Sequence, residues 1–164
     1  MEGSLSGKRK KFFSPGKAMT PEGARRREQI LGQNPWGGYN HNALGCEFFQ
    51  GRFWETAAQE FQIAVEINPW NAHFKANLSR AYLAWGRWKD AEFWALEALR
   101  QKPDESAALF CLGLLHEKNF RFDEALDDYH QCLAAKPSIC IRREVEENIQ
   151  NILKLKIERN VGGR

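Results

Sequence analysis

Asn34-Pro35-Trp36 recurs as Asn68-Pro69-Trp70. Pro103 and Pro137, each preceded by Lys, continue the series at the same spacing. Four evenly placed prolines therefore divide the middle of the chain into equal units. A fixed period of about 34 residues marks a stacked array, in which no unit can bury its apolar face alone and neighbours supply the core. Placing each proline near the end of its unit gives units 38–71, 72–105 and 106–139.

Aligned in this way, the units agree at helical spacings. The first carries His41, Leu44, Gly45 and Phe48, then Ala57, Phe61 and Pro69. The second carries Lys75, Leu78, Ser79 and Tyr82, then Ala91, Ala95 and Pro103, and the third Leu109, Leu112, Gly113 and His116, then Ala125, Tyr129 and Pro137. Small residues at Ala57, Ala91 and Ala125, and at Ala64, Ala98 and Cys132, let two helices pack at short distance. Each proline ends a helix, because it lacks an N–H and disfavours helical backbone in the residue before it.

The pattern resembles the tetratricopeptide repeat (TPR) family, whose helix–turn–helix unit has this period. The likeness covers 102 of 164 residues, with departures at Lys75, Ser79, Ala95 and His116. It implies an all-α, right-handed solenoid of three repeats. The expected helices are Tyr39–Gln50 and Trp54–Ile67, Ala72–Trp85 and Trp88–Gln101, and Ser106–Lys118 and Phe122–Ala135. Gly51, Gly86 and Asn119 stand where the first helix of each pair should end. From Cys140 to Arg159 the repeat fails while helical periodicity continues. Ile141, Val145, Ile149, Ile152 and Leu153 form one apolar stripe, as expected of a helix that caps the last repeat.

Residues 1–37 form a basic arm, largely without apolar periodicity and so expected to be disordered. A short helix over 21–31 is expected from Thr20-Pro21-Glu22, an N-cap followed by proline and an acid. Residues 1–33 hold eight Lys and Arg against three Glu, a net of +5; the remainder has 16 basic and 18 acidic residues, a net of −2. Lys8, Arg9, Lys10 and Lys11, with Arg25, Arg26 and Arg27, read as solubilising charge, or alternatively as a contact for nucleic acid or anionic membrane in a recruitment factor. Phe12 and Phe13 beside the lysines could stack on bases or dip into headgroups.

No run of about 18 apolar residues is present and no signal-peptide core follows the lysines, so a cytoplasmic protein is expected. Cys46, Cys111, Cys132 and Cys140 show no zinc-ligand or redox spacing and read as reduced thiols. No phosphate-binding loop, nucleophile elbow or metalloprotease motif occurs, so neither enzyme activity, metal nor cofactor is expected. His41 and His116 fall on packing positions. Asp123, Glu124, Asp127 and Asp128 read as a solvated acidic face.

The remaining expectation is an interaction surface. The resemblance puts first helices on the concave side. Residues two before or after the core positions are rotated by about 200° and should face the groove. They are Tyr39, Asn42, Cys46 and Phe49; His73, Ala76, Arg80 and Leu83; and Ala107, Phe110, Leu114 and Glu117. An apolar strip there implies a non-catalytic adaptor that binds a protein or peptide segment. TPR domains that hold chaperone C-termini use a two-carboxylate clamp of Lys and Asn, Asn, then Lys and Arg. The matching positions are Asn42, Cys46, Asn77, Ala107 and Cys111, and only Asn77 agrees, so a chaperone C-terminus is not the expected partner.

Overall fold

The computed structural model describes residues 37–161, together with Arg25. Among the described residues the secondary structure consists of seven α-helices: α1 Gly38–Gln50, α2 Trp54–Ile67, α3 Ala72–Trp85, α4 Trp88–Gln101, α5 Ser106–Lys118, α6 Phe122–Ala134 and α7 Ile139–Val161. The expected short helix over 21–31 lies outside the described residues except for Arg25, which is helical and exposed.

Helices pair as α1 with α2, α3 with α4 and α5 with α6, and each pair packs on the next through α2 with α3 and α4 with α5. First helices also touch each other, α1 with α3 and α3 with α5, whereas among the described residues no second helix packs on another second helix. The array therefore curves as a solenoid with α1, α3 and α5 inside. Why the helices of a pair come close is visible at Gly45. A Cβ there would lie 2.6 Å from Cε1 of Phe61, so only glycine lets the aromatic ring lie across the α1 backbone. The middle repeat departs on both sides at once, with Ser79 in place of glycine and Ala95 in place of the ring. The Ser79 hydroxyl, fully buried, donates to the Ala91 carbonyl at 2.7 Å.

The other departures are also compensated. Polar groups withdrawn from water need partners, and His41, His116 and Lys75 each find an acid on the second helix of their own repeat. His41 Nδ1 lies 2.8 Å from Glu60 Oε2, and His116 Nδ1 lies 2.7 Å from Asp128 Oδ2. The Lys75 ammonium lies 3.9 Å from Glu97. Asp128 is thus half-buried against a histidine and does not belong to a solvated acidic face.

Helix ends correct a second expectation. The left-handed residue that closes each first helix is Arg52 (φ 66°), Gly86 (φ 90°) and Phe120 (φ 59°), again one repeat apart. Gly51 and Asn119 stand one residue too early, with ordinary negative φ. Three cores follow. The first gathers Leu44, Phe48, Phe61, Phe74 and Leu78; the second is built mainly of alanines, from Ala76 to Ala108, with Cys111; the third joins Leu109, Phe110 and Tyr129 to Val145, Ile149 and Ile152 of α7. The α7 stripe turns away from the core at Leu153, which is exposed. Asn148 of α7 donates to the Tyr129 hydroxyl at 3.2 Å, and that hydroxyl donates to Glu117 at 2.7 Å.

Candidate functional site

The inner face of α1 and α3 holds a cleft of about 350 Å³, lined by Cys46, Phe49, Gln50, Arg52, Trp54, Phe61, Asn77 and Arg80. Its walls arise from the repeat. Cys46 and Phe49 lie one helical turn apart on α1, as do Asn77 and Arg80 on α3, so two adjacent first helices each present one polar and one larger group. Phe49 packs edge-on against Trp54 at 4.9 Å between centroids, and the Arg80 guanidinium lies 5.0 Å above the Phe49 ring. Arg52 reaches the cleft from the α1–α2 turn, in the left-handed conformation already noted. Burial raises the Cys46 thiol pKa above its ordinary value, against the opposing pull of Arg80.

The groove expected from sequence is divided by the structure. Cys46, Phe49, Asn77 and Arg80 line the cleft just described. Asn42 sits beside it, accepting from the Asn77 amide at 2.9 Å; the same amide lies 3.3 Å from His73 Nε2. Tyr39 and His73 belong to a second, more open cleft at the other end of these helices, with Trp70, Gln101, Lys102 and Glu105. There Tyr39 packs edge-on over Phe74 at 5.1 Å, and Trp70 is 86% exposed. The hydrogen bond from His73, followed by that from Lys102, holds the Glu105 carboxyl below its usual range.

Four expected groove residues are not on the groove. Leu83 and Phe110 are buried in the second and third cores, and Ala76 and Ala107 are buried with them. The reason is that α3 packs directly on α5, and α7 then covers α5, so successive first helices hide flanks that a single helix would leave open. Leu114 is half-buried between those two cores, and Glu117 is engaged by Tyr129. Sequence reasoning missed Arg52 and Trp54. The signal for Arg52 was its place one full repeat before Gly86, at the turn position. Of the basic arm, Lys8, Arg9, Lys10, Lys11, Arg26 and Arg27 lie outside the described residues.

Two tetratricopeptide repeat family profiles match the chain, over residues 54–110 and 106–139. The chain belongs to the tetratricopeptide repeat family. No curated protein matches the sequence. Among solved structures, the TPR domain of Arabidopsis OM64 is similar with a TM-score of 0.61 at 21% identity, over 70% of this chain and 95% of that one. The first TPR of Spaghetti (RPAP3) bound to the HSP90 peptide SRMEEVD gives 0.65 at 18% identity, over 73% and 95%. The TPR2B domain of yeast Sti1 in complex with pHsp70 gives 0.63 at 14% identity, over 72% and 97%. At these identities the likeness is one of fold. In this TPR array the positions matching the clamp are otherwise used: Ala107 and Cys111 are buried, and Asn77 is bonded to Asn42. Among the described residues no helix is long and apolar enough to cross a membrane.

Proposed function

We propose that this TPR array is a non-catalytic adaptor that holds a segment of a partner protein against its inner face, with three repeats at 38–71, 72–105 and 106–139 as the binding body. The observation that carries this reading is the α1–α3 cleft, where Phe49 and Trp54 form an apolar wall beside Asn77 and Arg80. TPR domains are protein-interaction scaffolds, and the cleft has the mixture such sites use: an aromatic anchor surface with a few placed polar groups. A partner segment lying there would insert an apolar side chain against Phe49. The two relatives with chaperone ligands bind peptides from HSP90 and Hsp70. Here the clamp positions lack lysine and arginine, so the same ligands have no charged grip at those positions.

Affinity capture with the full chain and with Phe49→Ala, followed by titration of the captured partner, tests the reading. Loss of about 2 kcal/mol of affinity, roughly thirtyfold, is expected with the helical signal unchanged. Equal affinity of both proteins for the partner overturns it. Titration of the SRMEEVD peptide with a free and with an amidated C-terminus serves as the contrast, and the two forms should bind alike; a clear preference for the free carboxylate would show that groups other than the clamp positions grip the chain end.

A further inference from the structure

Some arginines on this fold's surface have a carboxylate partner. Arg87 pairs with Asp90, Arg100 with Glu97 and Arg121 with Glu124, each three residues away on the same helix or at its start. Arg52 and Arg80 do not, and these two line one cleft. Among the described residues neither forms an ion pair, no carboxylate lines their cleft, and both face the same 350 Å³ of space. Arg80 is half-buried, and its guanidinium carbon lies 5.0 Å from the centre of the Phe49 ring. A guanidinium held over an aromatic ring still has N–H groups free to donate to an acceptor, and the contact restricts where it can reach. Arg52 occupies a left-handed backbone position that its counterpart in the next repeat gives to Gly86, so a cation is kept at a place where glycine is the easier residue.

From this arrangement we infer that the α1–α3 cleft takes an internal acidic segment, in which a Glu or Asp side chain lies next to an aromatic or large aliphatic anchor. The inference rests on the adaptor reading and names the chemistry of its ligand. The anchor packs against Phe49 and Trp54; the carboxylate accepts from Arg80 and Arg52, with the Gln50 amide at the rim. Two unpaired guanidiniums facing one space repel each other, and a carboxylate between them removes that repulsion while making charge-assisted hydrogen bonds. The subsite is formed by Arg52 and Arg80, which are not among the five positions that match the chaperone clamp, so a free C-terminal carboxylate is not required.

Defined probes test this on the full chain. Acetylated, amidated, fluorescein-labelled dodecapeptides carry one Phe flanked by Glu, with matched series in which Glu is replaced by Gln or by Lys. A fourth series ends in a free carboxylate after Phe and lacks Glu. Fluorescence anisotropy should show the Glu series binding about tenfold more tightly than the Gln series, with the gap narrowing as salt rises. Arg80→Gln and Arg52→Gln should each shrink the Glu-to-Gln ratio, while Arg80→Lys, which keeps the charge, should retain most of it. The Glu peptide should slow alkylation of Cys46, read by mass spectrometry, and leave Cys140 unaffected. Equal binding of Glu and Gln peptides, a preference for Lys, no binding by any series, or tighter binding of the free-carboxylate series overturns the inference. If a captured partner is nevertheless lost on Phe49→Ala, the adaptor reading stands and only the acidic chemistry falls.

Discussion

The ring of Tyr129 occupies the space that a Cβ on Gly113 would need, with its Cε1 2.3 Å from that position. Repeat one makes the same exchange between Gly45 and Phe61. The glycine is there for the neighbouring ring, since each sits inside a helix where it costs about 1 kcal/mol relative to alanine. Gly113→Ala should therefore destabilise the array despite better helix propensity, by about 1–3 kcal/mol, because the obstructing atoms belong to a rigid ring. Chemical denaturation measures it. In the middle repeat, Ala91→Phe should cost a similar amount or more, since Ala91 is fully buried. An unchanged midpoint in either variant contradicts the packing described.

Gly86 offers the opposite case. Its φ is 90° and nothing lies within 4 Å of the place where a Cβ would sit, so any cost of Gly86→Ala is backbone strain alone, about 1–2 kcal/mol. Phe120, 74% exposed at the corresponding turn, already bears that strain. Phe120→Gly should leave stability equal or raise it by up to about 1 kcal/mol, relief of strain being partly offset by a freer unfolded chain. Thermal denaturation of both variants decides it: a destabilising Phe120→Gly would show that the exposed ring has a packing role.

Phe49 and Phe110 were equivalent in the sequence and are not in the structure. Phe110→Ala should remove about 3–5 kcal/mol of stability, because it opens a cavity under α7. Phe49→Ala should cost only about 1 kcal/mol, half of a full burial, and show its main effect in partner affinity. Denaturation midpoints of the two variants side by side test the assignment; a larger loss at Phe49 reverses it.

Glu117 gives a pH signature. Burial raises its carboxyl pKa above the ordinary range, although the hydrogen bond from Tyr129 pulls the other way. With the folded value raised, its contribution to stability is full below the ordinary carboxylate value and is lost as pH rises through the raised one. Glu117→Gln cannot ionise and its carbonyl can still accept from Tyr129. The variant should therefore gain in thermal midpoint relative to the parent as pH is raised from 4 to 7, measured as the difference between the two curves. A difference that stays flat, or shrinks with rising pH, shows that the Glu117 pKa is not raised.

The period and the six repeat helices were legible because three copies reinforce one another, and prolines at one spacing leave little freedom of register. The turn residue was not. Glycine and asparagine are the residues expected to leave the right-handed region, and Gly51 and Asn119 drew the assignment to themselves, whereas the repeat geometry placed the strain one residue later on Arg52 and Phe120. The groove was half legible. Rotation about one helix axis grouped Cys46, Phe49 and Arg80, which line one cleft between α1 and α3, but it contains no information on how near the next first helix comes. That distance, short because Ala76, Ala107 and Cys111 are small, is what hides Leu83 and Phe110.

The alanine-built second core has a mechanical consequence. Methyl groups let backbones come close yet each removes little apolar area from water, so six alanines among ten residues bind α5 to α3 and α4 with less free energy than the aromatic cores on either side. In a quasi-one-dimensional array, the weakest interface sets where the chain opens first. The array is then expected to yield first at this seam, with the block α1–α4 on one side and the block α5–α7 on the other. A ligand held between α1 and α3 would clamp the first block only, leaving the second free to swing against it.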